Sequence, residues 1–285
     1  MFLQELAGRQ NADGGWPYTR GRSWTEPTVY GILATLAAGD RARAGRGLAW
    51  LRASQRPDGG WSPQSAVEES TWVTALAALV PEELLGDEIH ARAVRWLGET
   101  SGRETGFTYR LRQRLLGRGI PPEERHPGWP WVPGAAAWVG PTALAILALE
   151  KEHRRRPAPH LAERVGEGRQ FLLARMCRDG GWNHGSVRAL GYESLPYPET
   201  TGMALTALRG VPGPQLERAL SVALGFLKSC RSADGFNWLR LGLLAHGRLP
   251  ENCRAAGEVR YRTCPEMSLD VLASDPERAK EALWG

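Results

Sequence analysis

A short turn that recurs along the chain constrains its fold more than any other feature. NADGGW ends at Trp16, RPDGGW at Trp61 and CRDGGW at Trp182, and ADGFNW ending at Trp238 is a degenerate copy. Asp-Gly pairs reverse the chain, because glycine enters left-handed conformations freely and the aspartate side chain bonds nearby backbone. A turn repeated beside helical patterns points to a repeat architecture, in which no unit buries its apolar face alone.

Upstream of the turns lie amphipathic patterns such as RARAGRGLAWLRASQ at 41–55 and EGRQFLLARMC at 167–177, with arginines on one face. Helices of this kind have a wet side and a packed side. Downstream come segments that are apolar nearly all round. Aligning TEPTVYGILATLAAG, EESTWVTALAALV, VGPTALAILALE and PETTGMALTALRG superposes Thr28, Thr71, Thr142 and Thr201. Small residues follow three positions later (Gly31, Thr74, Ala145, Ala204) and alanines six positions later (Ala34, Ala77, Ala148, Ala207). FNWLRLGLLAHG, with Ala245 in the alanine register, and PEMSLDVLASD, with Glu266 and Ser268, are weaker copies. Outer helices are predicted near 2–10, 42–55, 87–99, 160–177 and 214–230, with a short last one at 276–283 closing against the first. The expectation is an all-α chain forming one domain over 1–285, an (α/α)6 toroid of six inner and six outer helices. An insertion interrupts it at about 101–134, where FTYRLR at 107–112 reads as an extended piece.

Composition excludes several classes. With 285 residues, 42% hydrophobic and 24% charged, the chain is long enough for a sizeable core. TALAALV at 74–80 falls well short of the ~18 apolar residues that span a bilayer. MFLQELAGRQ lacks the parts of a secretory signal, so a cytoplasmic protein with reduced cysteines is expected. The net charge of +5 is carried almost wholly by arginine, Lys151, Lys228 and Lys280 being the only lysines. Without a basic stripe or a recognition helix it suggests no nucleic-acid partner. It suits a hydrophobic or anionic small molecule and leaves room for association with a membrane surface. Cys177, Cys230, Cys253 and Cys264 show no CxxC spacing, and GxSxG, HExxH and phosphate-binding glycine loops are missing. Neither a metal nor a cofactor is expected.

RGLAWLRASQRPDGGW at 46–61, through Arg46, Gly47, Leu51, Gln55, Gly59 and Trp61, resembles the QW repeat of squalene cyclases. LAGRQNADGGW fits from Leu6 through Gln10 to Trp16, while later copies carry Cys177 and Arg231 where the Gln belongs. The resemblance is to the wider prenyltransferase and squalene oxidase repeat family and covers nearly the whole chain. It implies a terpenoid-cyclase-like or protein-prenyltransferase-like toroid that handles an isoprenoid. Squalene cyclases of that family protonate an alkene with a DxDD motif and have two toroid domains, but none of the eight aspartates here forms that motif. Protein prenyltransferase β subunits bind zinc through Asp, Cys and His near inner-helix starts, where this chain has Glu26, Glu69 and Glu199.

Parallel inner helices gather their N-termini at one rim, so the chemistry is expected there. Glu26, Glu69 and Glu199, two residues before the aligned threonines, are the candidate catalytic acids. Glu266 offers a fourth, whereas the third and fifth copies present Gly140 and Asn237. Capping of helix N–H groups is the competing role for each glutamate. Trp24, Trp72, Trp129, Trp131 and Trp138 are candidate pocket walls, since aromatic faces stabilise cations and also stack on sugars. Trp16, Trp61 and Trp182 are expected to wedge the turns. The loop at 181–202 carries His184, Arg188, Tyr192 and Glu193, of which His184 and Tyr192 join the substrate-binding set. Arg110, Arg112, Arg114, Arg118 and His126 suggest that the insertion is a lid or an anion site, with a plain exposed basic loop as the competing reading. Arg240, in an apolar inner helix, requires a carboxylate partner or an anionic ligand. Three functions remain open: isoprenoid cyclisation or transfer, glycan processing, and ligand binding or scaffolding without catalysis.

Overall fold

A computed structural model describes residues 2–117, 119–121, 124–185, 188–189, 192–251, 253 and 259–285. Six inner helices, α2 (Thr25–Ala37), α4 (Val73–Ala77), α8 (Val139–Arg155), α10 (Pro198–Ala207), α12 (Ala233–Ala245) and α13 (Cys264–Ala273), are largely buried. Around them stand α1 (Phe2–Gly8), α3 (Arg41–Ala53), α6 (Asp87–Glu99), α9 (Pro159–Ala174), α11 (Pro214–Leu227) and α14 (Pro276–Leu283). A single turn, α5 (Glu82–Leu85), precedes α6, and α7 (Phe107–Leu115) lies in the insertion. The described strands are a two-residue hairpin pairing Arg188–Ala189 with Tyr192–Glu193. The architecture is the expected all-α toroid.

The inner helices pack in sequence, α2 on α4, then α8, α10, α12 and α13, and α13 returns to α2. Close approach depends on glycine at the tightest crossing: a Cβ on Gly202 of α10 would meet the Trp238 backbone of α12 at 2.2 Å. At the rim, the backbone N–H groups that open the inner helices reach into the next loop. Thr25 donates to the Pro63 carbonyl at 2.9 Å, Trp72 to Trp131 at 3.1 Å, Val139 to His184 at 3.0 Å and Cys264 to Tyr18 at 2.7 Å. Orphan helix N–H groups are thereby satisfied by neighbouring units.

One fastening repeats in the four units built on α2, α4, α8 and α10. The backbone N–H groups of Trp16, Trp61 and Trp129 each donate to a threonine hydroxyl at 2.9 Å, on Thr28, Thr74 and Thr142, and that of Trp182 donates to Thr201 at 3.0 Å. The four indoles donate in turn to the carbonyls of Leu6, Leu51, Leu97 and Leu172 on the preceding outer helices. Each Gly before the Trp is obligatory, because a Cβ there would stand 2.7–3.0 Å from the threonine hydroxyl. Two sequence alignments change. Thr74, not Thr71, is the equivalent of Thr28, and the HPGW turn ending at Trp129 is the third copy of the wedge.

FTYRLR is helical in α7 rather than extended. α14, expected beside α1, packs mainly on α13, α2 and α8 and reaches beneath the ring. There Lys151 Nζ donates to the carbonyls of Leu79, Glu281 and Ala282 at 2.9–3.0 Å, and the Trp284 indole donates to Thr206. All four cysteines are free.

Candidate active site at the toroid mouth

The first turns of α2, α10, α12 and α13 bring four carboxylates to one rim: Glu26, Glu199, Asp234 and Glu266. Asp234 feels the charges of the other three, and burial together with that repulsion raises its carboxyl to about 7. The Trp238 side chain, by hydrogen bonding to it, pulls the other way. Burial also raises Glu26, although a hydrogen bond from the Tyr18 hydroxyl opposes the shift. Tyr18 itself is pushed up by burial and by Glu26, and the fully enclosed Tyr30 by burial, Glu26 and Asp234. An acid held near neutrality by burial and like charge can give and take protons at physiological pH.

The four carboxylates are not equivalent. Glu266 is engaged in a capping box: its Oε2 accepts from the N–H groups of Thr263 at 2.8 Å and Arg262 at 2.6 Å. Its role as a helix cap is thus explicit. Glu26 is held by a phenol, and Glu199 faces His184 Nε2 at 3.8 Å. Asp234 follows the helix cap Ser232, whose side chain accepts from Gly235 N–H, so this Asp-Gly pair opens a helix instead of turning the chain.

Aromatic rings surround these acids. Tyr18 meets Trp24 edge-on at 5.6 Å, and Trp72 meets Trp131 edge-on at 4.8 Å. His184 lies between Trp138 at 6.3 Å and Tyr197 at 5.4 Å. Trp24, Trp138 and Tyr197 occupy the cap positions of α2, α8 and α10, which is why the rings recur around the mouth. The face of an aromatic ring is negatively polarised, so rings gathered around a mouth suit a cation that meets them face-on.

Several anticipated residues lie elsewhere. Glu69 is exposed in the loop before α4, because the register set by Thr74 puts Trp72 where the other units carry Glu26 and Glu199. Trp129 is a buried wedge, 2% exposed, with the Arg164 guanidinium over its ring. Asn237 is wholly buried and bonds the Glu266 carbonyl, leaving the acidic position of the fifth unit to Asp234. Arg240 has its carboxylate: it donates to Asp270 at 2.9 Å and to the Ala273 carbonyl, tying α12 to α13. The side chains of Arg188, Tyr192 and Glu193, and the whole of Arg118, lie outside the described residues. The insertion is rooted at the rim by Glu104, which accepts from Ala137 N–H and faces Arg175 at 3.7 Å.

Among the described residues no group of His, Cys, Asp and Glu is arranged to hold a metal ion, and no helix is long and apolar enough to cross a membrane.

No family model matches the chain. Over 224 residues it is 22% identical to the squalene–hopene cyclase of Bradyrhizobium diazoefficiens, a match covering 67% of this chain and 31% of that protein. Over 68 residues it is 46% identical to the drimenyl diphosphate synthase of Streptomyces showdoensis, covering 21% of this chain and 12% of that one. The chain thus spans at most about a third of these relatives. Among solved structures it resembles endoglucanase Cel10, a family 8 glycosyl hydrolase from Klebsiella pneumoniae, with a TM-score of 0.58, 14% identity and coverage of 96% of this chain and 99% of that one. A protein from Actinoplanes gives a TM-score of 0.55 at 18% identity, covering 99% of this chain and 81% of that one. At such identities the likeness establishes the α/α toroid fold and nothing about chemistry.

Proposed function

We propose that the mouth of the toroid is the active site of an isoprenoid cyclase-like enzyme in which Asp234 is the general acid. The observation that carries this reading is a carboxyl raised to about 7 inside an aromatic rim. Protonated Asp234 would deliver its proton to an alkene carbon of the substrate. The π electrons form the new C–H bond, a carbocation develops on the adjacent carbon, and the carboxylate left behind opposes its charge. The rings of Trp24, Trp72, Trp131 and Trp138 would stabilise that cation as it moves along the chain. Glu26 and Glu199 support the acid by raising the cost of ionising it. The two relatives matched by sequence are named for terpenoid products, which agrees with this substrate class.

The acidic mouth disfavours a diphosphate at its centre, and Arg240 is occupied by Asp270. A substrate would therefore enter with its hydrocarbon end first. Incubation with squalene and with farnesyl diphosphate, followed by mass spectrometry of extracted products, tests the reading. Cyclised product that disappears in Asp234→Asn supports it, and absence of product with both substrates refutes it.

A glycan-active enzyme is the second reading, favoured by the coupling of Asp234 to Glu26 and Glu199 beside the exposed rings of Trp138 and Tyr197. A glycosidase needs one protonated and one ionised carboxyl across its cleft. Release of reducing sugar from β-glucan substrates would decide for it.

A further inference from the structure

At the end of the toroid opposite the mouth, where α4 and α8 finish, α5, α6, α8 and α14 surround a second cavity of about 410 Å³. The cations in its walls are engaged. Lys151 Nζ donates to three backbone carbonyls, Arg155 pairs with Glu82 and Glu152, and Arg154 donates to Glu150 at 2.8 Å and to the Trp284 carbonyl at 3.1 Å. The acceptors are not. Glu83 and Glu281, both exposed at the lip, attract Lys151 but form no hydrogen bond or ion pair among the described residues. Deeper in, His90 is 4% exposed and its Nδ1 has no hydrogen-bond partner.

We propose that this cavity binds an aliphatic diamine, with one ammonium between His90 and Glu152 and the other between Glu83 and Glu281. His90 Nε2 stands 3.1 Å from the Ala78 carbonyl, which can only accept, so Nε2 carries the proton. Burial disfavours a second proton on the ring, which leaves Nδ1 as an acceptor. Its neighbour at 3.8 Å is Glu152 Oε2, another acceptor. A single N–H donor group closes such a gap, standing about 2.8 Å from each. Between this pair and the lip, Ala78, Val80 and Pro81 offer an apolar wall to a methylene chain. The C-terminal ends of the inner helices turn their partial negative charge to the same side. Lys151, an ammonium held by backbone carbonyls in this very wall, shows that the surroundings accept such a group. The proposal concerns a site remote from the mouth and holds whichever chemistry the mouth performs.

Calorimetric titration of the full chain with 1,4-diaminobutane tests it. Binding is expected, and 1-aminobutane, which fills one end only, should bind more weakly on the order of 10-fold. The double variant Glu83→Gln, Glu281→Gln alters two exposed side chains, so it should stay folded and lose affinity for the diamine to a similar extent. The Nδ1 resonance of His90 in nitrogen-15 spectra should shift on addition of the diamine. Asp234→Asn, at the other end of the toroid, should leave the affinity unchanged. Failure of 1,4-diaminobutane to bind at millimolar concentration would overturn the proposal. So would equal affinity for the monoamine, an affinity unmoved by the double variant, an unmoved His90 resonance, or loss of binding in Asp234→Asn, which would assign the amine to the mouth.

Discussion

Trp61 donates its backbone N–H to the hydroxyl of Thr74 at 2.9 Å, while the hydroxyl of Thr71, three residues earlier, is buried without a hydrogen-bond partner. The two threonines should thus respond in opposite ways to the loss of their oxygen. Thr74→Val removes the fastening and strands a buried N–H, which costs about 1–3 kcal/mol. Thr71→Val removes an unsatisfied group and should be neutral or stabilising. Urea denaturation of both variants checks the assignment, and equal losses would contradict it.

Trp129 and Trp138 are nine residues apart and play unlike parts. Trp129→Ala should cost about 3–5 kcal/mol, as expected for a large aromatic side chain removed from a core. Trp138, 39% exposed, should tolerate alanine with little change in melting temperature but with weakened ligand binding. Thermal melts and ligand titration separate the two.

Asp234 is raised from 3.8 to about 7, so the folded state holds its proton more tightly than the unfolded chain. Its contribution to stability is complete below pH 4 and is lost as the pH rises to about 7. Asp234→Asn should therefore melt higher than the wild type at pH 8 and show no such advantage at pH 4, while turnover is abolished. Melting curves across this range, paired with product assays, give both readouts.

Glu26→Gln keeps the shape of the side chain next to Tyr18 but removes one of the charges that raise Asp234. Because Asp234 acts in its protonated form, the alkaline limb of a pH–activity profile governed by it should move to lower pH. Glu69→Gln, in an exposed loop, should leave the profile and the stability unchanged. Overlapping profiles for wild type and Glu26→Gln would argue against a coupled mouth.

Lys151 is lowered to about 8 by burial, against the attraction of Glu83 and Glu281. Its three carbonyl partners join α8 to the loop after α4 and to α14. Lys151→Met should lower stability by about 1–3 kcal/mol by stranding those carbonyls. Hydrogen exchange along α14 should rise in the same variant.

The helical repeat was legible because two periodic signals agreed, the Gly-Trp turn and the apolar run after it. Its register at α4 was not. Local composition matched Glu69 and Thr71 to Glu26 and Thr28, whereas the structural match depends on which hydroxyl reaches the tryptophan N–H. Trp129 was obscured by the insertion, which separates it from Leu97 by 32 residues where the other wedges span 10. Glu26 and Glu199 were found at the rim, but Asp234 was hidden by its resemblance to a turn. Ser232, a good helix cap two residues ahead of it, was the available signal. The repulsion that raises its carboxyl arises from acids distant in the chain, and no local pattern encodes it.

The return of α13 to α2 means that none of the inner helices is terminal. In an open array, end units fray first and units can be lost one at a time. Here the loss of any unit would open a seam on both of its neighbours, so the arrangement favours melting as one cooperative body. The acids at its mouth, drawn from units far apart in sequence, are brought together only when that circle closes.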